Sequence, residues 1–259
     1  MPELPDLEVF SRNLNKQLSG KQVKEIEILN PKKLSVPVKE FHQALEKDRI
    51  SKVYREGKEL YIAFEKGNVV SLHLMLNGEL HLYKDQEAPK STLLIFTFDD
   101  DKNLALSDFR GLARFTLNPA ADHTPDALSK AVDQHFFQQI FSGKKAAVKN
   151  ILLDQHVIRG IGNAYADEIL WKARISPFSA ANQIPEEKLK DLSEAVHEVL
   201  RTAVKEISVN HPDLISGEIR DFLKIHHPKK THSPSGGAIQ IKKAGARKTY
   251  YTDEQQLYK

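Results

Sequence analysis

ELYIAFEKGNVVSLHLMLNGELHLY, residues 59–83, holds three apolar runs, ELYIAF, VVSLHLML and GELHLY, separated by the turn-formers EKGN at 65–68 and LNG at 76–78. Runs of this length, rich in Val, Ile, Leu and Tyr and punctuated by Gly and Asn, predict successive strands. The pattern extends outward through VKEIEIL (23–29), LLIFTF (93–98) and ARFTL (113–117), with further turn signals at NP (30–31) and DDDKN (99–103). Residues 20–117 therefore read as a β-sandwich or barrel. Before them, Leu7, Phe10, Leu14 and Leu18 fall on one side of a helix predicted over Asp6–Leu18. NPAADHTPDAL (118–128) is a turn-rich join, and from Pro125 to about Ile207 the pattern becomes helical. Its clearest element, PEEKLKDLSEAVHEVLRTAVKEI, opens on Pro185 and places Leu189, Leu192, Val196, Val199, Leu200, Ala203, Val204 and Ile207 on one core-facing side. In the last segment Gly/Ser turns flank AIQIKK and RKTYYT, the pattern of a β-hairpin. The fold class is a multidomain α+β chain: a β-sandwich with an N-terminal helix, a helical domain, and a C-terminal hairpin.

Composition narrows the chemistry. With 259 residues, 40% hydrophobic and 28% charged, the chain is long enough for one or two globular domains. No run approaches the roughly 18 apolar residues of a membrane span, and the opening MPELPDLE is acidic where a signal peptide is basic, so a cytoplasmic protein is expected. The absence of cysteine excludes disulfides, thiol nucleophiles and thiolate zinc sites. The net charge of +3 is uneven: residues 222–259 hold eight Lys/Arg against two acids, leaving 30 basic and 33 acidic side chains elsewhere. A concentrated positive tail suits a polyanion such as nucleic acid, although a solvated basic terminus would give the same count.

Two local patterns carry chemical meaning. Met-Pro is a start from which the initiator Met is normally removed, leaving Pro2 as a secondary amine. An α-amino group titrates near 7.7, against about 10.4 for Lys, so at neutral pH much of it is an unprotonated nucleophile. Glu3 beside it could move protons. The dipeptide alone would equally be an unremarkable terminus. GIGN at 160–163 is not a dinucleotide fingerprint, because the position requiring Gly or Ala is Tyr165 and the preceding KNILLDQHVI reads as helix where a strand is needed. A helix, a Gly turn and a second helix fit better, offering backbone N–H groups to a phosphate. Asn163 could otherwise be a simple helix cap.

The whole opening, Pro2-Glu3-Leu4-Pro5-Asp6-Leu7-Glu8, resembles the PELPEVE start of the formamidopyrimidine-DNA glycosylase/endonuclease VIII family. REGKEL (55–60), HLMLNG (73–78), DFRGLARF (108–115), GIGNAYADEIL (160–170), SGEIRDF (216–222) and GARKTYY (245–251) follow in the family's order, so the likeness spans the chain. It implies a catalytic β-sandwich at 1–120, a helix-two-turns-helix domain at 125–222 and a finger hairpin at 223–259. It also implies double-stranded damaged DNA as partner, bound in a basic cleft between the halves. Pro2 is then the Schiff-base nucleophile, Glu3 its proton carrier and Lys58 a supporting cation at the active site. The His73 neighbourhood, Lys149, Asn163 and Arg247 become contacts to DNA phosphates. By themselves Lys58 is also readable as a surface lysine and His73 as a core histidine.

The departures are informative. The family's four zinc-binding cysteines fall near Ser233, Gly236 or Gly237, Thr252 and Gln255, so the resemblance implies a zincless finger, with no metal and no cofactor. His226, His227 and His232 lie nearby but suit phosphate or solvent better than metal. The family's Met, Arg and Phe that fill the space of a flipped nucleotide match Leu76 (or its neighbour Met75), Arg110 and Leu112, which keeps a wedge but loses aromatic stacking. Ten residues separate Phe222 from Ser233, too few for the long loop that caps 8-oxoguanine. The expectation is a monomeric glycosylase/lyase acting on oxidised pyrimidines, formamidopyrimidines or abasic sites with β,δ-elimination. A non-catalytic damage-recognition protein and a glycosylase for bulky or crosslinked adducts are the alternatives.

Overall fold

The computed structural model describes residues 1–244 and 247–259, with the side chain of residue 244 left aside. The chain divides into two compact units, Met1–Asp122 with Ile207–Glu218, and His123–Glu206 with Ile219–Lys259.

The first unit is a sandwich of two four-stranded antiparallel sheets. Strands β1 (Val23–Ile28), β2 (Ile50–Glu56), β3 (Glu59–Phe64), β4 (Val69–His73), β5 (Glu79–Tyr83), β6 (Thr92–Phe98), β7 (Asn103–Ser107) and β8 (Arg114–Leu117) form sheets of order β1-β6-β7-β5 and β2-β3-β4-β8. Helix α1 (Leu4–Leu18) sends Leu7, Phe10, Leu14 and Leu18 into the core, which also takes Phe41, Phe64, Phe96, Phe98 and Phe115. The helix begins two residues before the predicted start, because Glu3 N–H donates to the buried Asp6 carboxylate at 2.9 Å and Pro5 suits a first turn. Two strands, β2 and β7, and the helix α2 (Val38–Leu45) add to the predicted runs. Residues 207–218 join this unit because Leu214 and Ile215 pack on its core, Leu214 O accepts from Asn13 Nδ2 at 2.9 Å, and Ser216 Oγ accepts from Leu80 N at 3.1 Å.

The second unit contains α3 (Gln134–Phe141), α4 (Val148–Leu153), α5 (Asn163–Lys172) and most of α6 (Glu186–Asn210), followed by the antiparallel hairpin of β9 (Gln240–Ala244) and β10 (Arg247–Tyr251). The apolar side predicted for α6 is buried, except that Val199 is half-buried and lines a cavity of about 470 Å³ with Trp171 and Phe222. The helix read over KNILLDQHVI is shorter than expected and stops at Leu153. There Asp154 Oδ1 accepts from His156 N at 3.0 Å, and Gln155 ties Leu153 O, Ile161 O and Gly160 N together, which turns the chain twice before α5.

Candidate active site and nucleic-acid interface

In the first unit the candidate residues gather at one end of the sandwich. Arg55, nearly buried on β2, donates to Glu8 on α1 at 2.9 Å, while Val53 N donates to Asn15 at 2.8 Å. The helix therefore runs with its N-terminal end, and with it Pro2 and Glu3, toward the β2–β3 turn. That turn is Gly57-Lys58, held between the pair Glu56 and Glu59, and Gly57 has φ +57, the first central position of a two-residue hairpin that favours glycine. Arg55 Nη1 also donates to Gly57 O at 3.1 Å, so Glu8 and Arg55 together fix the turn that carries Lys58. Pro2 and Glu3 are buried, and the amino group of Met1 pairs with Glu218, from the SGEIRDF motif. With Met1 attached, the Pro2 nitrogen is an amide and not a nucleophile.

The same end holds His73. Leu60 pairs with Leu72, and His73 pairs with Arg114 across β4 and β8, so Glu59, His73 and Arg114 line one sheet margin. His73 Nδ1 accepts from Met75 N at 3.0 Å, which leaves the ring proton on Nε2 in the neutral form. Burial lowers the His73 pKa, and Lys58 and Arg114 lower it further against the opposing Glu59. It is a neutral donor beside cations.

Two connections cross between the sheets at this end. Residues 74–78 lead from β4 to β5, and residues 108–113 lead from β7 to β8. His73 pairs with Arg114 and Glu79 with Ser107, so both crossovers start and finish on neighbouring strands. Gly78 is required in the first, because a Cβ there would meet Leu74 C at 2.9 Å. The second is shaped by buried Asp108: Oδ1 accepts from Arg110 N at 2.8 Å, and Oδ2 accepts from Leu112 N and Ala113 N, each at 2.7 Å. Desolvation would raise the Asp108 pKa, but these N–H donors outweigh it and hold the carboxyl below its usual range. The expected gap-fillers are exposed on these crossovers, Leu76 at 52% and Leu112 at 37%, with Arg110 exposed between.

In the second unit Lys149, Asn163 and β10 come together. Lys149 is only 5% exposed; its ammonium lies 2.6 Å from Asp167 Oδ1 and donates to Thr249 Oγ1 at 2.8 Å. Asp167 Oδ2 accepts from Tyr250 N at 2.9 Å and pairs with His226 Nδ1 at 2.7 Å. Asn163 follows the N-cap Gly162 and donates through Nδ2 to Lys248 O at 2.9 Å. Arg247, expected at the hairpin tip, is exposed as the first residue of β10, opposite Ala244; residues 245 and 246 lie outside the described residues. Glu168 accepts from the backbone N–H groups of Lys224, Ile225 and His226, each at 2.8 Å, tying down the segment after Phe222.

The finger is organised by a carboxylate. Glu254 accepts from Trp171 Nε1 at 3.0 Å, Ser233 Oγ at 2.7 Å and Thr252 Oγ1 at 3.0 Å, and pairs with Arg174 Nη1 at 3.0 Å. Gln255 bonds Thr252 N and Ile175 O, each at 2.9 Å. Desolvation opposes ionisation of Glu254, but donors from Ser235, Trp171, Ser233 and Thr252 hold its pKa far below the ordinary carboxylate value. Gly237 makes room, since a Cβ there would lie 2.6 Å from Glu254 Cδ. Ser, Gly, Thr and Gln supply no thiolate, and three of them are already engaged with Glu254 or with one another, so this donor set does not fit a zinc ion. His226 is held by Asp167, and among the described residues no three His, Asp or Glu side chains converge as metal ligands.

Sequence reasoning did not assign Asp108, Asp167, Glu168 or Glu254. Asp167 and Glu168 stand inside the quoted GIGNAYADEIL, but apart from Lys149 their partners lie 56 to 83 residues away.

Comparison with known proteins matches these features. Residues 1–115 match the formamidopyrimidine-DNA glycosylase N-terminal domain, and residues 124–212 match the formamidopyrimidine-DNA glycosylase H2TH domain. The formamidopyrimidine-DNA glycosylase of Lactobacillus gasseri is 32% identical over the full length of both chains. Lactococcus lactis Fpg, solved with DNA containing an abasic site, superimposes with a TM-score of 0.88 at 26% identity, covering 98% of this chain and all of that one. MutM in complex with DNA containing carbocyclic 8-oxo-G gives the same score, identity and coverage. In its two matched domains and across its whole length, the chain belongs to the formamidopyrimidine-DNA glycosylase family.

Proposed function

We propose that the chain is a bifunctional DNA glycosylase and abasic-site lyase of base excision repair, acting on formamidopyrimidines, oxidised pyrimidines and abasic sites. One observation carries the reading: Pro2-Glu3 opens α1 at the end of the unit that also holds Lys58, His73 and Arg114. Removal of Met1 turns the Pro2 nitrogen into a secondary amine with a usable lone pair. It attacks C1′ of a flipped nucleotide, the glycosidic bond breaks, and the base departs with a proton. Glu3 carries that proton and the one needed by the ring oxygen as the sugar opens to an iminium. The iminium withdraws electrons, so loss of a C2′ proton breaks the C3′–O bond. A second proton loss breaks the C5′–O bond, and water then frees Pro2.

Lys58 and neutral His73 suit phosphates close to the reacting sugar. Asn163 and Arg247 suit phosphates beside the lesion, and Lys149, whose ammonium is engaged, serves by holding β10. Leu76, Arg110 and Leu112 occupy the space of the flipped nucleotide. The 8-oxo-G complex belongs to a relative. Here the short segment after Phe222 is held through three consecutive N–H groups by Glu168, which supports lesions that need no capping loop.

The test is borohydride trapping on a duplex with one abasic site, in protein whose mass shows that it starts at Pro2. A covalent complex that disappears in Pro2→Gly is expected. Tight binding without a trapped species would replace this reading with non-catalytic damage recognition. A lesion panel tests the substrate: release of bulky adducts, with oxidised pyrimidines and formamidopyrimidines untouched, would overturn it.

A further inference from the structure

Phe109 is 69% exposed. A phenyl ring in water forfeits the burial that makes aromatic residues valuable, so an exposed Phe asks for a partner. It does not hang from a loose loop. Its neighbours Arg110, Leu112 and Ala113 are fastened by backbone N–H bonds to Asp108, and Gly111 N donates to Asp108 O at 2.9 Å with φ +59. The Arg110 guanidinium stands 5.5 Å from the Phe109 ring centroid, a cation–π distance that gives the pair a preferred arrangement.

The register places this ring in company. Its crossover runs beside the one carrying exposed Leu76, and the same crossover carries exposed Leu112. Three apolar tips thus project at the margin where His73 and Arg114 pair. Cations suit a phosphate backbone, and a flat apolar ring among them suits the face of an unstacked base.

We propose that Phe109 is the aromatic residue that stacks on the base left without a partner when the damaged nucleotide is flipped, with Arg110 beside it and Leu76 and Leu112 as flanking wedges. Stacking expected to be missing at Leu112 is supplied three residues earlier, on the same Asp108-fastened turn. The proposal rests on the glycosylase reading.

The test uses a duplex with a tetrahydrofuran abasic analogue opposite 2-aminopurine, with an intact duplex of equal length for comparison. Affinity and 2-aminopurine fluorescence are read for the wild type, Phe109→Ala, Phe109→Trp and Leu112→Ala. Phe109→Ala is expected to weaken binding to the abasic duplex by about five- to a hundredfold, to lose the fluorescence change, and to leave intact-duplex binding and the melting temperature unaltered. Phe109→Trp is expected to restore both signals. Undiminished affinity and fluorescence in Phe109→Ala would overturn the proposal, as would loss of the signal only in Leu112→Ala. If Phe109→Ala alters only self-association in the ultracentrifuge, the ring is a contact between copies and the proposal fails. A wild type that does not prefer the abasic duplex would instead overturn the glycosylase reading itself.

Discussion

At Asp108 two carboxylate oxygens fix the backbone of the next five residues, and replacing one oxygen by an amide NH₂ would set donor against donor. Asp108→Asn is expected to cost about 2 kcal/mol in urea unfolding and to reduce discrimination between abasic and intact duplexes, because Arg110 and Leu112 lose their shared anchor. A Tm and discrimination equal to wild type would show that the turn holds its shape without the charge. His73 gives a pH dependence. Its folded pKa lies below its ordinary value of 6.5. Above that value both folded and unfolded states are neutral and stability is whole. As pH falls below it, the unfolded chain takes up a proton that the folded chain refuses, so stability declines on acidification. Comparing unfolding at pH 7 and pH 5, His73→Gln is expected to show a smaller loss than wild type.

Among elements, the β9–β10 hairpin is held by side chains scattered along the chain: Trp171 in the last turn of α5, Arg174 just after it, Ser233 before β9, and Thr252 and Glu254 after β10. Glu254→Gln keeps the shape but sets an amide NH₂ against donors that need an acceptor, and is expected to lower unfolding free energy by about 2 kcal/mol and weaken abasic-duplex binding. Gly237→Ala is expected to do the same by displacing the carboxylate. The Glu254 pKa is depressed, so its contribution is complete above the ordinary value of 4.5 and is lost as pH falls below it. Urea unfolding followed by fluorescence of Trp171, the sole Trp, is expected to show the wild type losing more unfolding free energy between pH 5 and pH 3 than Glu254→Gln, and equal losses would contradict it. Much of this architecture is legible in sequence. ELYIAF is a strand from end to end because its period-2 burial is undisturbed. ISKVYRE hides its strand because Arg55 faces Glu8 and Lys52 lies over Tyr54, so charge masks the period. NLALS is short, and VKEFHQAL buries only Phe41 and Leu45, too few to set a helical period. The candidate site divides likewise. Pro2, Glu3, Lys58 and His73 sit in local motifs, whereas Asp108, Asp167 and Glu254 act on backbone N–H groups or distant side chains that no window of sequence displays.

For the whole molecule, charge and metal independence are measurable. The segment 222–259 carries eight of the 38 Lys and Arg residues with only two acids, and Arg247 is exposed on it. Binding to an abasic duplex is expected to weaken steeply with salt, and Arg247→Ala to lower affinity at every sequence while reducing the log–log slope by about one. An unchanged slope would remove Arg247 from the phosphate contacts. Chelators are expected to leave affinity and Tm unchanged, and stoichiometric zinc in purified protein would contradict the Glu254-centred finger. That finger has a further consequence in a cell under oxidative stress. The oxidants that damage DNA bases also oxidise thiolates, stripping metal from sulfur sites and disabling repair when it is most needed. Here the chain contains no cysteine and only two methionines, Met1 and Met75. Once Met1 is cleaved, a single thioether is the entire sulfur inventory, and the groups that hold the hairpin in place offer peroxide no sulfur to attack.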